Sequence, residues 1–409
     1  MRIAFLTPVY PPMVSGASLV ISHLSKEMAA RGHTILVITA SDRAEPYATR
    51  DGNLSTLRLT SFRNPFRVGQ RLAIWPYHEV IRALDNFSPD LLHVSDPIQF
   101  ALPALAYSRR RKIPAVYSIQ QLPWFFASYL PNISWMRNAL ENLLWNYGGW
   151  LIRQFDSVTT PTSAIARIVE ARTRVAPYVI TNGVDLGLFQ PSQTESREDS
   201  SPRDRLGIPP NIPIILHVGR LDADKQADVA IKACVPALKQ TDAHLLIVGD
   251  GHERAKLTQL CERLGIASKC RFTGFVSRVD GLADLYRLAT VFIFASQIET
   301  QGIVLLEAAA SGIPIIAINT TCIPEIVLHN VNGYLAATNQ TEQMADRLLQ
   351  LIQDPIAARE MGRAGRIIAL RHSIEKSMDA YENLFIKYLA TGERWEKISV
   401  RDVNLNREY

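Results

Sequence analysis

The chain has 409 residues, 47% of them hydrophobic and 20% charged, with a formal net charge of +5 at pH 7. Its four cysteines form no CxxC pair, which argues against a disulfide framework or a zinc site and favours reduced, buried thiols. No apolar run reaches about 18 residues, so the sequence predicts no membrane-spanning helix. The apolar run after Met1 is too short for a signal peptide, and a cytoplasmic protein is expected.

The charge is unevenly distributed along the chain. Residues 1–185 contain 19 basic and 12 acidic residues, a balance of +7, whereas the remainder has a balance of −2. A basic first half favours contact with an anionic surface or an anionic substrate. The alternative is a chance imbalance of surface charge.

Predicted strands and helices alternate from the N-terminus onward. Residues 2–7 form an apolar run typical of a buried strand. Apolar residues at helical spacing over 19–31 precede a second buried strand at 34–39. Further short strands are predicted at 90–94 and 115–118.

The same alternation returns in the second half of the chain. Strands are predicted at 213–218, 244–248, 291–295 and 314–318, with helices at 228–239 and 253–264. Apolar strands separated by helices indicate parallel sheets that are covered on both faces. The predicted fold class is therefore α/β, with two doubly wound, Rossmann-like domains.

A polar, charged segment over 191–204 separates the two halves and reads as a linker or surface insertion. We therefore predict one domain over 1–190, a second over 205–375, and a C-terminal helix within 376–409 that packs back toward the first domain, followed by a tail. Two such domains would leave a cleft between them, and ligands of doubly wound sheets bind at the carboxyl ends of the strands. Residues that directly follow predicted strands are thus the candidates for a site.

Two of the candidate motifs suit an anionic ligand. Gly16, between the first strand and the first helix, lets backbone approach a ligand, and a plain turn glycine is the alternative. Arg220 and Lys225 follow a strand of the second half, where a planar guanidinium and an ammonium suit a diphosphate leaving group. Asp222 and Asp224 lie between them in a D-x-D pattern, and we expect them to form the turn and the helix N-terminus rather than a metal site.

A third motif carries two glutamates eight residues apart. Glu299 follows a predicted strand, and Gly302 opens an apolar helix that contains Glu307. The N–H groups of Gly302, Ile303 and Val304 at the helix start are suited to phosphate oxygens. Burial of Glu307 among apolar neighbours is costly without a hydrogen-bond partner, and a ligand hydroxyl is such a partner. A glutamate on the helix surface is the alternative.

The ordered set of motifs resembles the large family 4 of retaining glycosyltransferases of the GT-B type, from Met1 to about Tyr388. The likeness rests, in chain order, on Ser15-Gly16, Gly32-His33, Asn182-Gly-Val-Asp185 with Phe189 and Pro191, Gly219-Arg220 with Lys225, Val248-Gly-Asp-Gly251, Gly274-Phe-Val276, and the pair Glu299 and Glu307. It implies a GT-B fold and transfer of a sugar from a nucleotide diphosphate to an acceptor, with retention of configuration.

The resemblance also implies a donor site. Its residues are expected to be Gly16, Arg220, Lys225, Val276, Glu299, Gly302, Ile303, Val304 and Glu307. Phosphate contacts are implied for Gly16 in the acceptor-binding N-terminal domain, for Arg220 and Lys225, and for the backbone from Gly302 to Val304. Val276 would border the nucleobase, Glu299 would hold hydroxyls of the transferred sugar, and Glu307 would hold the ribose. Members of the family need no metal, so no cofactor is expected beyond the nucleotide-sugar co-substrate, with UDP-glucose favoured.

Gln120 departs from the family pattern. The family often carries a histidine after the strand that matches 115–118, close to the transferred sugar. An amide can hydrogen-bond a sugar hydroxyl but cannot carry charge, so Gln120 is expected to position the sugar. Together with Arg220, Lys225 and Glu299 it completes the set of predicted catalytic residues.

Three features favour a lipid acceptor. The motif Glu299-Thr-Gln-Gly302 resembles the version found in lipid glucosyltransferases that act on diacylglycerol. The stretch 122–155 contains four of the six tryptophans, and amphipathic aromatics of this kind suit a lipid–water interface. Three consecutive arginines at 109–111 suit anionic headgroups. An aromatic helical core beside a solvated basic loop is the alternative.

We therefore predict a retaining hexosyltransferase, with glucose favoured, that acts on a membrane lipid such as diacylglycerol while bound peripherally to the inner face of the cell membrane. The alternatives are a glycosyltransferase of soluble or polysaccharide acceptors, a sugar-nucleotide epimerase of similar shape, and a membrane-bound scaffold without activity. The expected partners are the nucleotide-sugar donor and an anionic membrane surface, without nucleic acid, and the oligomeric state is left open.

Overall fold

The computed structural model of the protein describes residues 1–13, 15–64, 70–123, 134–191 and 202–391. The chain divides into two compact units. The first comprises residues 1–181 together with the segment from Ser377 onward, and the second comprises Asn182–Lys376.

The first unit is built on a mostly parallel sheet. Its strands are β1 (Arg2–Leu6), β2 (Thr34–Ala40), β3 (Tyr47–Asp51), β4 (Leu54–Leu59), β5 (Ser61–Arg63), β6 (Arg71–Ala73), β7 (Leu91–Val94), β8 (Ala115–Ser118), β9 (Ser157–Thr160) and β10 (Tyr178–Val179). Eight of them form one sheet in the order β10-β9-β8-β7-β1-β2-β4-β3, in which β3 alone runs antiparallel to its neighbour. The hairpin of β5 and β6 is a separate two-stranded sheet.

The helices of the first unit connect these strands. They are α1 (Gly16–Ala30), α2 (Tyr77–Phe87), α3 (Ala101–Arg111), α4 (Ser134–Ile152) and α5 (Ser163–Thr173). The predicted helix over 19–31 is present as α1, but it begins three residues earlier because Ser15 caps it, its Oγ accepting the N–H of Ser18 at 3.0 Å. The central strands are buried on both faces, as expected for a parallel sheet between two helical layers.

The second unit has a six-stranded, fully parallel sheet. Its strands are β11 (Ile214–Val218), β12 (His244–Val248), β13 (Cys270–Gly274), β14 (Val291–Phe294), β15 (Ile315–Ile318) and β16 (Gly333–Ala336), in the order β13-β12-β11-β14-β15-β16. Its helices are α6 (Pro202–Leu206), α7 (Ala227–Gln240), α8 (Arg254–Arg263), α9 (Ala283–Leu288), α10 (Ile303–Ala310), α11 (Thr341–Gln353) and α12 (Pro355–Ala369). The terminal helix α13 (Ile374–Thr391) starts in this unit.

The second sheet packs a separate core on each face. Ile215 of β11 belongs to one cluster with Leu348 of α11, whereas the next residue, Leu216, belongs to the other with Leu305 of α10. This alternation along a strand covered by helices on both sides is the doubly wound arrangement. The predicted fold class of two Rossmann-like α/β domains is confirmed.

The segment between the predicted domains packs with the second unit. Val184 bridges to Ser373 and is buried, and Phe189 lies in the core formed with α10. The sequence predicts that residues 182–190 belong to the first domain. They are placed in the second unit because these two apolar side chains fill its core.

The far part of α13 belongs to the first unit. Tyr381 and Phe385 are buried, and the ring of Phe385 lies 6.5 Å from that of Phe5 on β1. The four cysteines are free and buried, as predicted. Among the described residues, no helix is both long and apolar enough to cross a bilayer.

Candidate active site

The loops that follow β11, β12 and β13 pack against one another at very close range. Gly249 has φ +137°, and a Cβ at this position would lie 1.8 Å from the carbonyl oxygen of Gly219. The Gly219 N–H donates to the carbonyl of Val248 at 3.0 Å, and the Gly249 N–H donates to that of Gly274 at 2.9 Å. Only glycine at position 249 allows the two backbones to come this close. The contact fixes the position of Gly219, which directly precedes Arg220.

Arg220 is held by the two aspartates of the D-x-D pattern. Its Nη1 contacts Asp222, and its Nη2 donates to Asp224 Oδ2 at 3.1 Å. About one third of the Arg220 side chain is exposed, so its guanidinium is accessible to a ligand. The Asp222 carboxylate also contacts the Nδ1 of His252 at 3.2 Å. Both aspartates therefore serve as partners of basic side chains in this loop.

Lys225 and Glu299, predicted separately from the sequence, are in direct contact. The Lys225 ammonium donates to Glu299 Oε1 at 2.6 Å and to the carbonyl of Ile298 at 3.2 Å. Each of the two side chains is 15% exposed, so the pair is mostly shielded from solvent. Lys225 also lies 3.8 Å from Asp224, which joins this pair to Arg220. The carboxyl ends of β11 and β14 thus carry one connected network of charges.

The loop that carries Glu299 is held from a second side by a thiol. Cys322 is fully buried, and its Sγ donates to the carbonyl of Glu299 at 3.5 Å. Burial raises the pKa of the Cys322 thiol, so the group stays protonated and able to donate.

Gly302 begins α10 in a backbone conformation that favours glycine. Its φ is +79°, and as a glycine it has no side chain with which to cap the helix start. The N–H groups at the start of a helix carry partial positive charge and lack intrahelical acceptors, so Ile303 and Val304 lie where an anion is stabilised. This end of α10 follows β14, three residues after Glu299.

Glu307 has protein partners that the sequence does not predict. The carboxylate is 1% exposed, and Arg278 donates from Nε to its Oε1 at 2.6 Å. The hydroxyl of Tyr286 donates to Oε2 at 2.9 Å. Burial, followed by the Glu307 charge, raises the pKa of Tyr286 well above its usual value, so the hydroxyl remains a donor. The buried charge is therefore satisfied within the protein.

Arg278 and Tyr286 could not be predicted from spacing. They lie 29 and 21 residues before Glu307 in the chain, on a π-helical turn (Arg278–Leu282) and on α9. The only available signal was the apolar context of Glu307, which demands a partner but does not identify it.

The remaining predicted residues are distributed over both units. Val276 is partly buried against the core of the second unit. In the first unit, Gly16 is the first residue of α1, and the amide of Gln120 donates to Ser118 Oγ at 3.0 Å. The structure therefore brings Arg220, Lys225 and Glu299 together, and it places Gly16 and Gln120 after β1 and β8 of the first sheet.

The predicted membrane-binding segments are only partly exposed. Residues 124–133 of the aromatic stretch lie outside the described residues. In α4, Trp135 is 70% and Trp150 is 47% exposed, whereas Trp145 is buried. Of the three arginines at 109–111, the second and third both contact Asp85 at 2.6 Å. The stretch therefore supplies core packing as well as surface.

Two family models match the chain, one to each half. A model described as Glycosyltransferase Family 4 matches residues 14–188, and one described as Glycosyl transferases group 1 matches residues 199–367. Together they span both units and all of the predicted site residues.

Curated relatives match over most of their length. The chain is 25% identical over 343 residues to the α-monoglucosyldiacylglycerol synthase of Streptococcus pneumoniae, covering 82% of this chain and 75% of that protein. It is 27% identical over 394 residues to the N-acetyl-α-D-glucosaminyl L-malate synthase of Bacillus anthracis, covering 92% and 95%.

The fold is shared with solved structures. HepE from Anabaena, in complex with UDP-glucose, superimposes with a TM-score of 0.75 at 20% identity, and the match covers 95% of this chain and all of that chain. At this level of identity the likeness concerns the fold, and the GT-B fold implied by the motifs is confirmed.

Proposed function

We propose that this chain transfers glucose from UDP-glucose to a membrane lipid with retention of configuration. The proposal starts from the family: the chain belongs to the family 4 glycosyltransferases and is a hexosyltransferase. The observation that carries the proposal is the network of Arg220, Lys225 and Glu299 at the carboxyl ends of β11 and β14. Its cations can bind a diphosphate, and its carboxylate can accept hydrogen bonds from sugar hydroxyls.

The donor assignment rests on the chemistry of this network. A diphosphate carries its charge on oxygens, which guanidinium and ammonium groups bind through charge-assisted hydrogen bonds. The start of α10 adds N–H groups and the positive end of a helix dipole a few residues away. UDP is the proposed nucleotide because the HepE structure of the same fold contains UDP-glucose. Glucose is proposed because the pneumococcal relative is named as a glucosyl synthase.

The proposed mechanism is front-face transfer. The acceptor hydroxyl attacks the anomeric carbon on the face from which the diphosphate departs, so the configuration is retained. Arg220, Lys225 and the start of α10 stabilise the charge that develops on the leaving oxygens. The leaving phosphate accepts the proton of the acceptor hydroxyl, and Glu299 holds hydroxyls of the transferred sugar.

The lipid acceptor is supported by a relative and by an exposed apolar surface. The pneumococcal relative is named as a synthase of a glucosyl diacylglycerol. In this chain, three large apolar side chains form what we term the apolar patch: Ile74 is 50% exposed, Trp75 is 89% exposed and Ile98 is 58% exposed. They lie on two neighbouring loops, since Gln99 Nε2 donates to the carbonyl of Ala73 at 2.7 Å.

The position of the apolar patch suits access to a lipid. Ile98 follows the carboxyl end of β7, the edge at which doubly wound sheets bind ligands. The adjoining hairpin of β5 and β6 carries Arg63 and Arg71 opposite each other. Aromatic and aliphatic groups bordered by cations are the combination that binds an anionic bilayer surface. We propose that the enzyme docks there, on the cytoplasmic face of the membrane.

Two other activities would give different products. A glycosyltransferase of soluble acceptors, such as the Bacillus relative named for malate, would label a soluble compound and leave lipid extract unlabelled. A sugar-nucleotide epimerase would convert UDP-glucose in the absence of any acceptor. Labelled UDP-glucose is incubated in three separate reactions: alone, with soluble sugars, and with lipid extract. The identity of the labelled product then separates the three activities.

Transfer is expected to persist in excess EDTA. The Asp222 and Asp224 carboxylates are engaged by Arg220, and cations with helix N–H groups supply the charge that a metal would otherwise provide. The measurement is the rate of glucose transfer with EDTA and after addition of magnesium or manganese. Loss of activity in EDTA that either metal restores would instead assign the two aspartates to a metal site.

Vesicle binding is expected to depend on the apolar patch. Replacing both Trp75 and Ile98 with serine should weaken binding to anionic vesicles at least tenfold, because burial of each large apolar side chain contributes about 1.5–3 kcal/mol. The control is Ile367→Ser, which changes an apolar residue that is 61% exposed on α12 of the second unit. Cosedimentation at low and high salt measures the effect, and equal binding by the double variant and wild type would contradict the assignment.

A further inference from the structure

A cavity lies in the first unit at the carboxyl edge of its sheet. Its volume is about 80 Å³. Pro97 and Ile98, which follow β7, and Ile119 and Leu122, which follow β8, are among the residues that line it. Residues of α4 and α5 complete its walls. The cavity therefore lies at the edge where doubly wound sheets bind ligands.

The walls of this cavity are apolar. No aspartate, glutamate, histidine, lysine or arginine is among the described residues that line it. The hydroxyl of Tyr147 donates to the carbonyl of Pro97 at 2.6 Å, and that of Thr173 donates to the carbonyl of Val169 at 2.7 Å. Burial raises the pKa of Tyr117 well above its usual value, so its hydroxyl stays neutral. Water in a cavity needs two to four polar partners, so these walls favour an apolar occupant.

The size of the cavity suits a short stretch of hydrocarbon. One water-sized group needs roughly 10–15 Å³ of such space, so the cavity has room for about five to eight methylene groups. That is part of one acyl chain. The walls lose dispersion contacts when the cavity is empty, and a chain inside it would restore them.

The cavity reaches the surface within the apolar patch. Ile98 lines the cavity, is 58% exposed and belongs to the patch. A lipid in a membrane docked at the patch could therefore place a chain in the cavity with little exposure of hydrocarbon to water, which is unfavourable. The lining residues Ile119 and Gln121 flank Gln120, which the sequence predicts to lie near the transferred sugar.

We propose that this cavity binds part of one hydrocarbon chain of the acceptor lipid. The enzyme then recognises its acceptor by the chain as well as by the hydroxyl that receives the sugar. This inference rests on the proposed lipid acceptor, and it adds a site for the chain to the surface proposed for membrane docking.

Two water-soluble glycerides separate recognition of the chain from membrane docking. Transfer of glucose to 1,2-dihexanoylglycerol and to 1,2-diacetylglycerol is measured with both acceptors dissolved as monomers. Wild type should have a kcat/KM roughly 10- to 200-fold higher for the dihexanoyl compound. The reason is that one hexanoyl chain buries four more methylene groups than an acetyl group, each worth about a factor of four.

Gly148 of α4 offers a way to fill the cavity. It lines the cavity, and a Cβ at this position would meet no other atom within 4 Å. Gly148→Leu should fold, since leucine favours a helix more than glycine does, and its preference for the longer chain should fall to a few-fold. The matched control is Asn146→Leu, which adds the same side chain to the same helix at an exposed position that does not line the cavity. It should keep the wild-type preference.

A brominated chain tests occupancy without turnover. Bromine quenches tryptophan fluorescence on contact, and Trp145 lines the cavity. Titration with 1,2-di(6-bromohexanoyl)glycerol should quench wild type, and the part of the quenching that is due to Trp145 should be absent in Trp145→Phe. The same part should be lost in Gly148→Leu and kept in Asn146→Leu.

The outcomes distinguish this inference from the proposed function. A full preference for the longer chain in Gly148→Leu, or quenching that Trp145→Phe does not change, would overturn the inference and place the chain elsewhere. Wild type with neither preference nor quenching would show that the cavity takes no chain. Quenching that depends on Trp145, without transfer to either glyceride, would keep the hydrocarbon site and contradict the proposed acceptor.

Discussion

Replacement of Lys225 by alanine is expected to lower kcat/KM for UDP-glucose by roughly 100- to 1,000-fold, the usual effect of removing one preorganised group that stabilises charge in the transition state. The ammonium lies 2.6 Å from Glu299 and 3.8 Å from Asp224, so in the proposed mechanism it orients the carboxylate of Glu299 as well as binding the diphosphate. Its loss also leaves Glu299, which is 15% exposed, without its cation.

The matched control is Lys232→Ala on α7. Lys232 is 48% exposed and pairs with Asp228 at 2.8 Å, an exposed contact of little energetic consequence. Steady-state kinetics with UDP-glucose should therefore give near wild-type values for this variant. Turnover by folded Lys225→Ala within a few-fold of wild type would show that the Lys225 and Glu299 pair has no part in transfer.

Gly249→Ala is expected to be the most destructive single substitution near the site. The added Cβ would lie 1.8 Å from the backbone oxygen of Gly219, which no side-chain movement can relieve, and φ of +137° disfavours any L-residue. The free energy of unfolding should fall by more than about 4 kcal/mol, and the segment with Arg220 should shift.

Gly148→Ala provides the comparison. Gly148 lies within α4, and a Cβ there would meet no other atom within 4 Å. Alanine should be neutral or stabilising at this position because glycine is about 1 kcal/mol less favourable inside a helix. Thermal unfolding followed by circular dichroism measures both variants. A midpoint for Gly249→Ala close to that of wild type would mean that the two loops are not packed as described.

The sheets and the charged motifs were predictable because they depend on local sequence. Apolar runs such as 213–218 and 244–248 became buried parallel strands, and the residues after them reached the predicted edge. The contact between Lys225 and Glu299 followed from topology, since β11 and β14 are neighbours in the sheet. Each residue was identified by its position after a strand, without knowledge of the other.

Other features depended on tertiary packing that no local pattern encodes. In the sequence, Phe189 lies in what resembles a connecting segment, yet its side chain fills the core of the second unit. The predicted C-terminal end of the first domain, residue 190, therefore lies too far along the chain. Glu307 was expected to need a ligand, but Arg278 and Tyr286 satisfy it from elements far away in sequence. The arginines at 109–111 were expected to face anionic headgroups, and the sequence does not show that two of them share Asp85 on α2.

The most direct test is the fate of the sugar itself. Purified protein is incubated in excess EDTA with UDP-glucose labelled in the sugar and with anionic vesicles that contain diacylglycerol, and the lipid product is identified by mass and by the configuration of its anomeric centre. We predict a glucosyl lipid with the α configuration of the donor, formed together with UDP, and formed roughly 100- to 1,000-fold more slowly by the Lys225→Ala variant. Label that stays in the aqueous phase, or a lipid product of inverted configuration, would contradict it.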